Sequence, residues 1–235
     1  MKKLISIVLL SVLVCQLSAQ EQKLKFETIA KKKVSLNYIL DIPKDAKKPF
    51  PLILFLHGAG ERGNDLERVK VHSPFTYSHL MEEPVAILAP QCPDGEYWET
   101  NAVYELLKTI IEKYPVDKNR IYLTGLSMGG WGTWKLFDEH PDLFAAVATV
   151  CAPMHRPAYF NACNKLKNTP IQIYHGALDD VVPLDDSTRM YKKLKDCKAN
   201  VEYTIFENDN HNAWDSTYSN PEFYKWMLSQ RKNNN

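Results

Sequence analysis

The sequence predicts an α/β fold: a mostly parallel sheet of about eight strands with helices on both faces. Three observations predict it. Short apolar runs alternate with helical periodicities from residue 51 onward. Two of those runs, residues 51–56 and 85–89, are apolar throughout, as strands buried on both faces are. A third, residues 121–124, leads straight into Gly125-Leu126-Ser127-Met128-Gly129 and then a helix-compatible segment. Such alternation implies right-handed crossovers and places chemistry outside the carboxyl ends of the strands.

The elements follow in order. Met1-Lys2-Lys3, an apolar run to Leu17 and Ser18-Ala19 give a basic, an apolar and a small-residue region. Residues 1–19 therefore read as a signal peptide, too short to span a bilayer comfortably, with cleavage after Ala19. Cys15 follows Val14, which is bulkier than the small residue a lipidation site requires. Residues 20–235 are expected to form one catalytic domain, secreted or periplasmic, with no stable membrane insertion. Residues 24–29 and 34–40 flank Lys31-Lys32-Lys33 and read as an N-terminal antiparallel hairpin. Residues 102–114 carry Val103, Leu106, Leu107, Ile110 and Ile111 on one helical face, with Pro115 as a stop. Residues 128–140 read as a helix closed by Pro141. Residues 145–150 and 171–174 read as buried strands, 187–196 as a helix, 201–206 as a strand and 221–230 as a final helix.

Composition excludes some classes of function. Lys plus Arg number 29 against 28 Asp plus Glu, a net charge of +1, and the short lysine clusters suit solvated turns. No nucleic-acid partner is expected. Cys92, Cys151, Cys163 and Cys197 remain after cleavage and allow three complete pairings or free thiols. No Cys-x-x-Cys or His-x-x-x-His spacing suggests a metal, and none is expected. The glycines of residues 57–63 lack both the P-loop and the dinucleotide spacing, so no cofactor is expected.

The chemistry is carried by Ser127. Strand, Gly-x-Ser-x-Gly and helix make a nucleophile elbow, in which the serine sits strained and exposed at a sharp turn. Side chains at residues 125 and 129 would clash across that turn. A serine hydroxyl needs a base, and the base needs an orienter. Asp179 and Asp180 lie in an acidic loop after residues 171–174. His211 lies just past the last strand. Of the seven histidines, it alone has both the order and the location of a general base. His57 is expected to shape the glycine loop, and His175 to be a structural strand-end residue. Met128 N–H is one candidate oxyanion donor. The loop after residues 51–56 offers Ala59 or Gly60 as the second.

These residues resemble the α/β-hydrolase superfamily. More narrowly they resemble secreted bacterial esterases described as predicted peptidases, polyhydroxybutyrate-depolymerase-like proteins and family 1 carbohydrate esterases (feruloyl and acetyl-xylan esterases). The matching segments are residues 57–63 (HGAGERG), 90–93 (PQCP), 123–134 (LTGLSMGGWGTW), 175–183 (HGALDDVVP) and 211–214 (HNAW). The resemblance implies Asp179 as the acid, through the register Gly176, Asp179, Val182, Pro183. It implies a serine carboxylesterase acting on a small-molecule or polysaccharide-linked ester, with a peptidase or a non-catalytic carbohydrate-binding protein as alternatives. Asn210 stands where relatives often have Gly; Asn tolerates a left-handed conformation, so the loop is expected to form. No propeller domain is expected.

On the substrate side, the connection between residues 150 and 171 is too short for a large cap domain. Pro153, Met154, His155, Arg156 and Pro157 are expected to form one wall of an open cleft. Trp98, Trp131 and Trp214, with Tyr97, are candidates for aromatic walls, Trp98 first. Arg62 is a candidate for binding an acidic group, or for pairing with Glu61 or Glu67. Acyl specificity and oligomeric state are not legible.

Overall fold

The computed structural model describes residues 33–43 and 49–232. Every described residue except Lys33 belongs to one compact unit, Val34–Asn235. The expected signal peptide and the expected strand at 24–29 lie outside the described residues. No helix among the described residues is long and apolar enough to cross a membrane.

Among the described residues seven strands form one sheet: β1 (Asn37–Asp41), β2 (Phe50–Leu56), β3 (Ala86–Gln91), β4 (Val116–Leu126), β5 (Ala146–Val150), β6 (Ile171–Gly176) and β7 (Val201–Phe206). Their order is β1-β3-β2-β4-β5-β6-β7. Every neighbouring pair is parallel except β1 with β3, in which Ile39 faces Ala89. Among the described residues the antiparallel partner of β1 is β3. This edge pairing uses a ladder that local sequence cannot announce.

Six α-helices lie among the described residues: α1 (Thr100–Lys113), α2 (Met128–Glu139), α3 (Arg156–Asn161), α4 (Leu184–Asp196), α5 (Trp214–Tyr218) and α6 (Pro221–Ser229). Strand side chains alternate between two faces. In β2, Leu52, Leu54 and Leu56 meet Leu107 of α1, Trp134 of α2 and Leu194 of α4 in one core. Ile53 and Phe55 point the other way, into a core with Tyr218 of α5 and Phe223 and Met227 of α6. Both faces of β2 are filled, and all seven of its residues are buried.

The order of the central strands positions the site. After β2 the chain adds β3 on one side and then crosses to add β4 on the other. The crevice of such a sheet opens where the order reverses, outside the carboxyl ends of β2 and β4. The loops leaving β2, β4, β6 and β7 carry residues 57–63, Ser127, Asp179 and His211 to that end. A disulfide joins Cys163 to Cys197, tying the β5–β6 connection to the end of α4, while Cys92 and Cys151 are buried free thiols.

Candidate active site

Ser127 is the one residue between β4 and α2, at φ 50 and ψ −120. A non-glycine residue in so sparse a region costs on the order of 1–3 kcal/mol and persists only where its surroundings enforce it. Here Ser127 N–H donates to Val150 O at 2.9 Å, and Ser127 O accepts from Trp131 N–H at 3.1 Å. The glycines are required by closeness. A Cβ on Gly129 would lie 1.9 Å from Leu56 O, and one on Gly125 would lie 2.5 Å from Gly129 O.

His211 Nε2 is 2.9 Å from Ser127 Oγ, and His211 Nδ1 is 2.8 Å from Asp179 Oδ2. Burial opposes ionisation of Asp179, but hydrogen bonds from His211 and from the amides of Val182 and Val181 outweigh it and hold the carboxyl below its usual range. An ionised carboxylate only accepts, so Nδ1 carries the proton. Nε2 is then left to accept from the serine hydroxyl. Asp179 Oδ1 takes Val181 N–H at 2.9 Å and Val182 N–H at 2.8 Å. Asp180, the other candidate acid, is exposed.

A second imidazole reaches the same carboxylate. His175 Nε2 lies 3.1 Å from Asp179 Oδ2 and 3.0 Å from Val182 O. Both partners accept, so Nε2 is the donor, and Nδ1 accepts from Ser187 Oγ at 2.8 Å. Burial holds His175 below its usual pKa, which keeps it neutral. Cys151, at φ 46, lies beneath this group. Burial raises its thiol to about 12, so it faces Asp179 as a neutral S–H. Ligand atoms of Cys151, Asp179 and His211 lie within 4.8 Å of one another. His211 Nδ1 and both Asp179 oxygens are already committed to hydrogen bonds, so the donors are arranged as a proton relay rather than a ligand cage. Sequence reasoning makes His175 a structural residue and gives Cys151 no role. The signal for both is position: each stands at the carboxyl end of a central strand.

Asn210 does not use the left-handed conformation expected of it; only Ser127, Cys151 and Lys198 among described non-glycine residues have positive φ. Its side chain instead accepts from Asn212 N–H at 3.0 Å, closing an Asx turn that presents His211.

The loop after β2 forms a short 3₁₀ turn, Ala59–Glu61. Buried Gln91 pins it from β3, donating to Glu61 O and Asp65 O, both at 2.8 Å. His57 Nε2 accepts from Cys92 N–H at 2.9 Å, so the proton sits on Nδ1, 2.6 Å from Gly58 O. Burial lowers the His57 pKa to about 4, with Arg62 and Arg68 adding to the effect.

A cavity of about 520 Å³ opens over Ser127, lined also by Ala59, Arg62, Tyr97, Met128, Trp131, Pro153, Val181 and Val182. Ala59 lines it and Gly60 does not. Met128 N–H, at the first position of α2, is one of the donors a helix leaves unsatisfied. Two of the tryptophans expected in the wall are elsewhere. Trp98 is 2% exposed, and its indole N–H donates to His57 O at 3.2 Å, so it is core beneath the loop. Trp214 packs edge-on against His211 at 5.2 Å and tilted against His72 at 5.5 Å. Trp131 does line the cavity, with Tyr97 6.2 Å away. Arg62 pairs with neither Glu61 nor Glu67; it donates to Ala59 O at 3.0 Å and Glu96 O at 3.2 Å.

Residues 97–220, more than half of the chain, match the model of the phospholipase/carboxylesterase family. The chain belongs to that family. Its fold is the α/β-hydrolase fold. Among solved structures, this family member is similar to a thermostable esterase, with 34% identity and a TM-score of 0.77 over 84% of this chain and 60% of that one. It is 26% identical to a bifunctional acetylxylan esterase/xylanase of Neocallimastix patriciarum over 66% of this chain and 23% of that protein. It is 21% identical to dipeptidyl peptidase family member 1 of Caenorhabditis elegans over 73% of this chain and 27% of that protein. The chain thus spans about a quarter of the length of these two relatives.

Proposed function

We propose that the protein is an exported serine carboxylesterase that cleaves feruloyl or acetyl esters of plant polysaccharides through an acyl-enzyme. The relay from Ser127 through His211 to Asp179, lying under an open cavity, carries this reading. His211 Nε2 takes the hydroxyl proton as Ser127 Oγ attacks the ester carbonyl. Asp179 holds the productive tautomer and stabilises the imidazolium. The amides of Met128 and Ala59 receive the oxyanion at the amino end of α2, where the helix dipole favours negative charge. The imidazolium returns its proton to the departing alcohol. Water then repeats the sequence in reverse and frees Ser127.

The esterase relatives support ester over amide substrates, and the aromatic rim of Tyr97 and Trp131 supports a planar acyl group. The Cys163–Cys197 disulfide supports an oxidising compartment, in keeping with the basic and apolar start of the chain. The nematode peptidase relative makes peptide cleavage the second reading.

Hydrolysis of methyl ferulate, p-nitrophenyl acetate and a chromogenic dipeptide amide, with Ser127→Ala as blank, tests these readings. Turnover of the esters, little of the amide and none in the variant is expected. Amide turnover exceeding ester turnover would overturn the esterase reading.

A further inference from the structure

Arg62 is the only charged residue lining the cavity above Ser127 among the described residues. Its companions there are aromatic and aliphatic, including Tyr97, Trp131 and Val181. The guanidinium is fixed rather than floating, since Nε is held by Ala59 O at 3.0 Å and Nη1 by Glu96 O at 3.2 Å. Both partners are main-chain carbonyls, which orient the fork without cancelling its charge. The two acids nearest in sequence are turned elsewhere. Glu61 Oε2 lies 4.0 Å from His57 Nδ1, and Glu67 lies 2.8 Å from Lys70 Nζ. A second guanidinium, Arg68, reaches into the same loop and donates to Arg62 O at 3.4 Å. The wall beside the nucleophile is therefore a preorganised cation in apolar surroundings.

An arginine in that setting is matched by a planar anion. Its fork suits a carboxylate, and a charge-assisted bidentate pair is stronger than a neutral hydrogen bond. A neutral ester gives the guanidinium nothing comparable. We infer that the preferred substrates are esters that also carry a carboxylate, which Arg62 receives while Ser127 attacks the ester carbonyl. A uronate in an acidic polysaccharide and the free end of a dicarboxylic half ester share this chemistry. The inference rests on the esterase reading and names the substrate class of the same site.

Paired esters test it. Monomethyl succinate against dimethyl succinate places the carboxylate on the acyl side. Acetoxyacetate against its methyl ester places it on the alcohol side. In at least one pair, kcat/KM for the anion is expected to exceed that for its neutral partner by about tenfold or more, the scale of a charge-assisted hydrogen bond. Arg62→Met should bring that ratio to about one, and Arg62→Lys should leave it between the two. The pair showing the preference identifies the side of the ester that bears the charge. A wild-type ratio of one or less in both pairs, or a ratio unmoved by Arg62→Met, overturns the inference.

A binding measurement separates its failure from failure of the esterase reading. The Ser127→Ala protein is titrated calorimetrically with the half ester and the diester, with and without Arg62→Met. Tighter binding of the half ester that weakens with salt and disappears with Arg62→Met sustains the carboxylate site even where no ester is turned over. The acetoxyacetate pair is titrated in the same way, and equal binding within both pairs overturns it.

Discussion

The two sides of the cleft are built differently. On the side of Ser127, His211 and Asp179 the key groups are held from several directions. Asp179 receives two imidazoles and two amides, and Ser127 is locked between Val150 O and Trp131 N–H. On the substrate side the wall is assembled from side chains on five separate segments, at residues 59–62, 97, 128–131, 153 and 181–182. The first arrangement is over-determined, which suits the proposed reaction, since that reaction needs one geometry. The second is set by which side chains happen to face the same space. Substitutions on the first side should therefore act on kcat, and those on the second on KM.

Asp179→Asn is the largest expected break in this contrast. Oδ1 faces two backbone donors, so an amide would turn its oxygen there and aim its NH2 at His211 Nδ1 and His175 Nε2. Donor would then face donor. His211 relieves the clash by moving its proton to Nε2, where it can no longer accept from Ser127. Turnover is expected to fall about 10³- to 10⁴-fold with KM little changed. A drop of less than tenfold, measured as kcat on p-nitrophenyl acetate, would show that Asp179 is not the orienter.

The same contrast explains what is legible in the sequence. Gly125, Ser127 and Gly129 are legible because their requirement is local: five consecutive residues make the turn, and the clashes arise within it or against the neighbouring β2. The buried strands are legible for a similar reason, since β2 has to be apolar on both faces. The pairing of β1 with β3 is not legible, because a ladder partner fifty residues away leaves no trace in either segment. Trp98 shows the limit most clearly. It follows the carboxyl end of β3 and so has the right address for a substrate wall, yet its neighbour Tyr97 has the same address. Which of two adjacent side chains turns inward depends on the space against Gly132, where a Cβ would meet the Trp98 ring at 2.8 Å.

His57 lies where the two sides meet, under the loop that carries Ala59 and against the Trp98 ring at 4.8 Å. It is buried and neutral, and protonation at Nε2 would set a donor against Cys92 N–H. Its pKa is lowered from 6.5 to about 4 in the fold. Between those values the unfolded chain binds a proton that the folded chain does not. The stabilisation is therefore fully present above pH 6.5 and is lost as pH falls toward 4. The gap corresponds to about 3 kcal/mol. His57→Gln keeps one acceptor and one donor but does not titrate. Its melting temperature should fall less than that of wild type between pH 6.5 and 4, by roughly 6–12 °C. Parallel acid limbs in the two proteins would place the sensitivity in other buried histidines, of which His175 is the first candidate.

The smallest effects should separate the two tryptophans. Trp98→Phe keeps most of the buried ring but removes the indole N–H, leaving His57 O without that bond. The cost is about 1–2 kcal/mol, or a few degrees of melting temperature, with KM nearly unchanged. Trp131→Ala removes a half-buried ring that packs at 5.4 Å from His155 and borders the cavity. It is expected to raise KM for methyl ferulate several-fold, and to raise KM for p-nitrophenyl acetate less, because a flat acyl group loses its stacking surface while an acetyl group had little. Equal rises for both esters would mean that Trp131 shapes the cleft without contacting the acyl group. A rise in KM from Trp98→Phe would show instead that the loop above it is soft, and that the substrate wall extends into what the packing identifies as core.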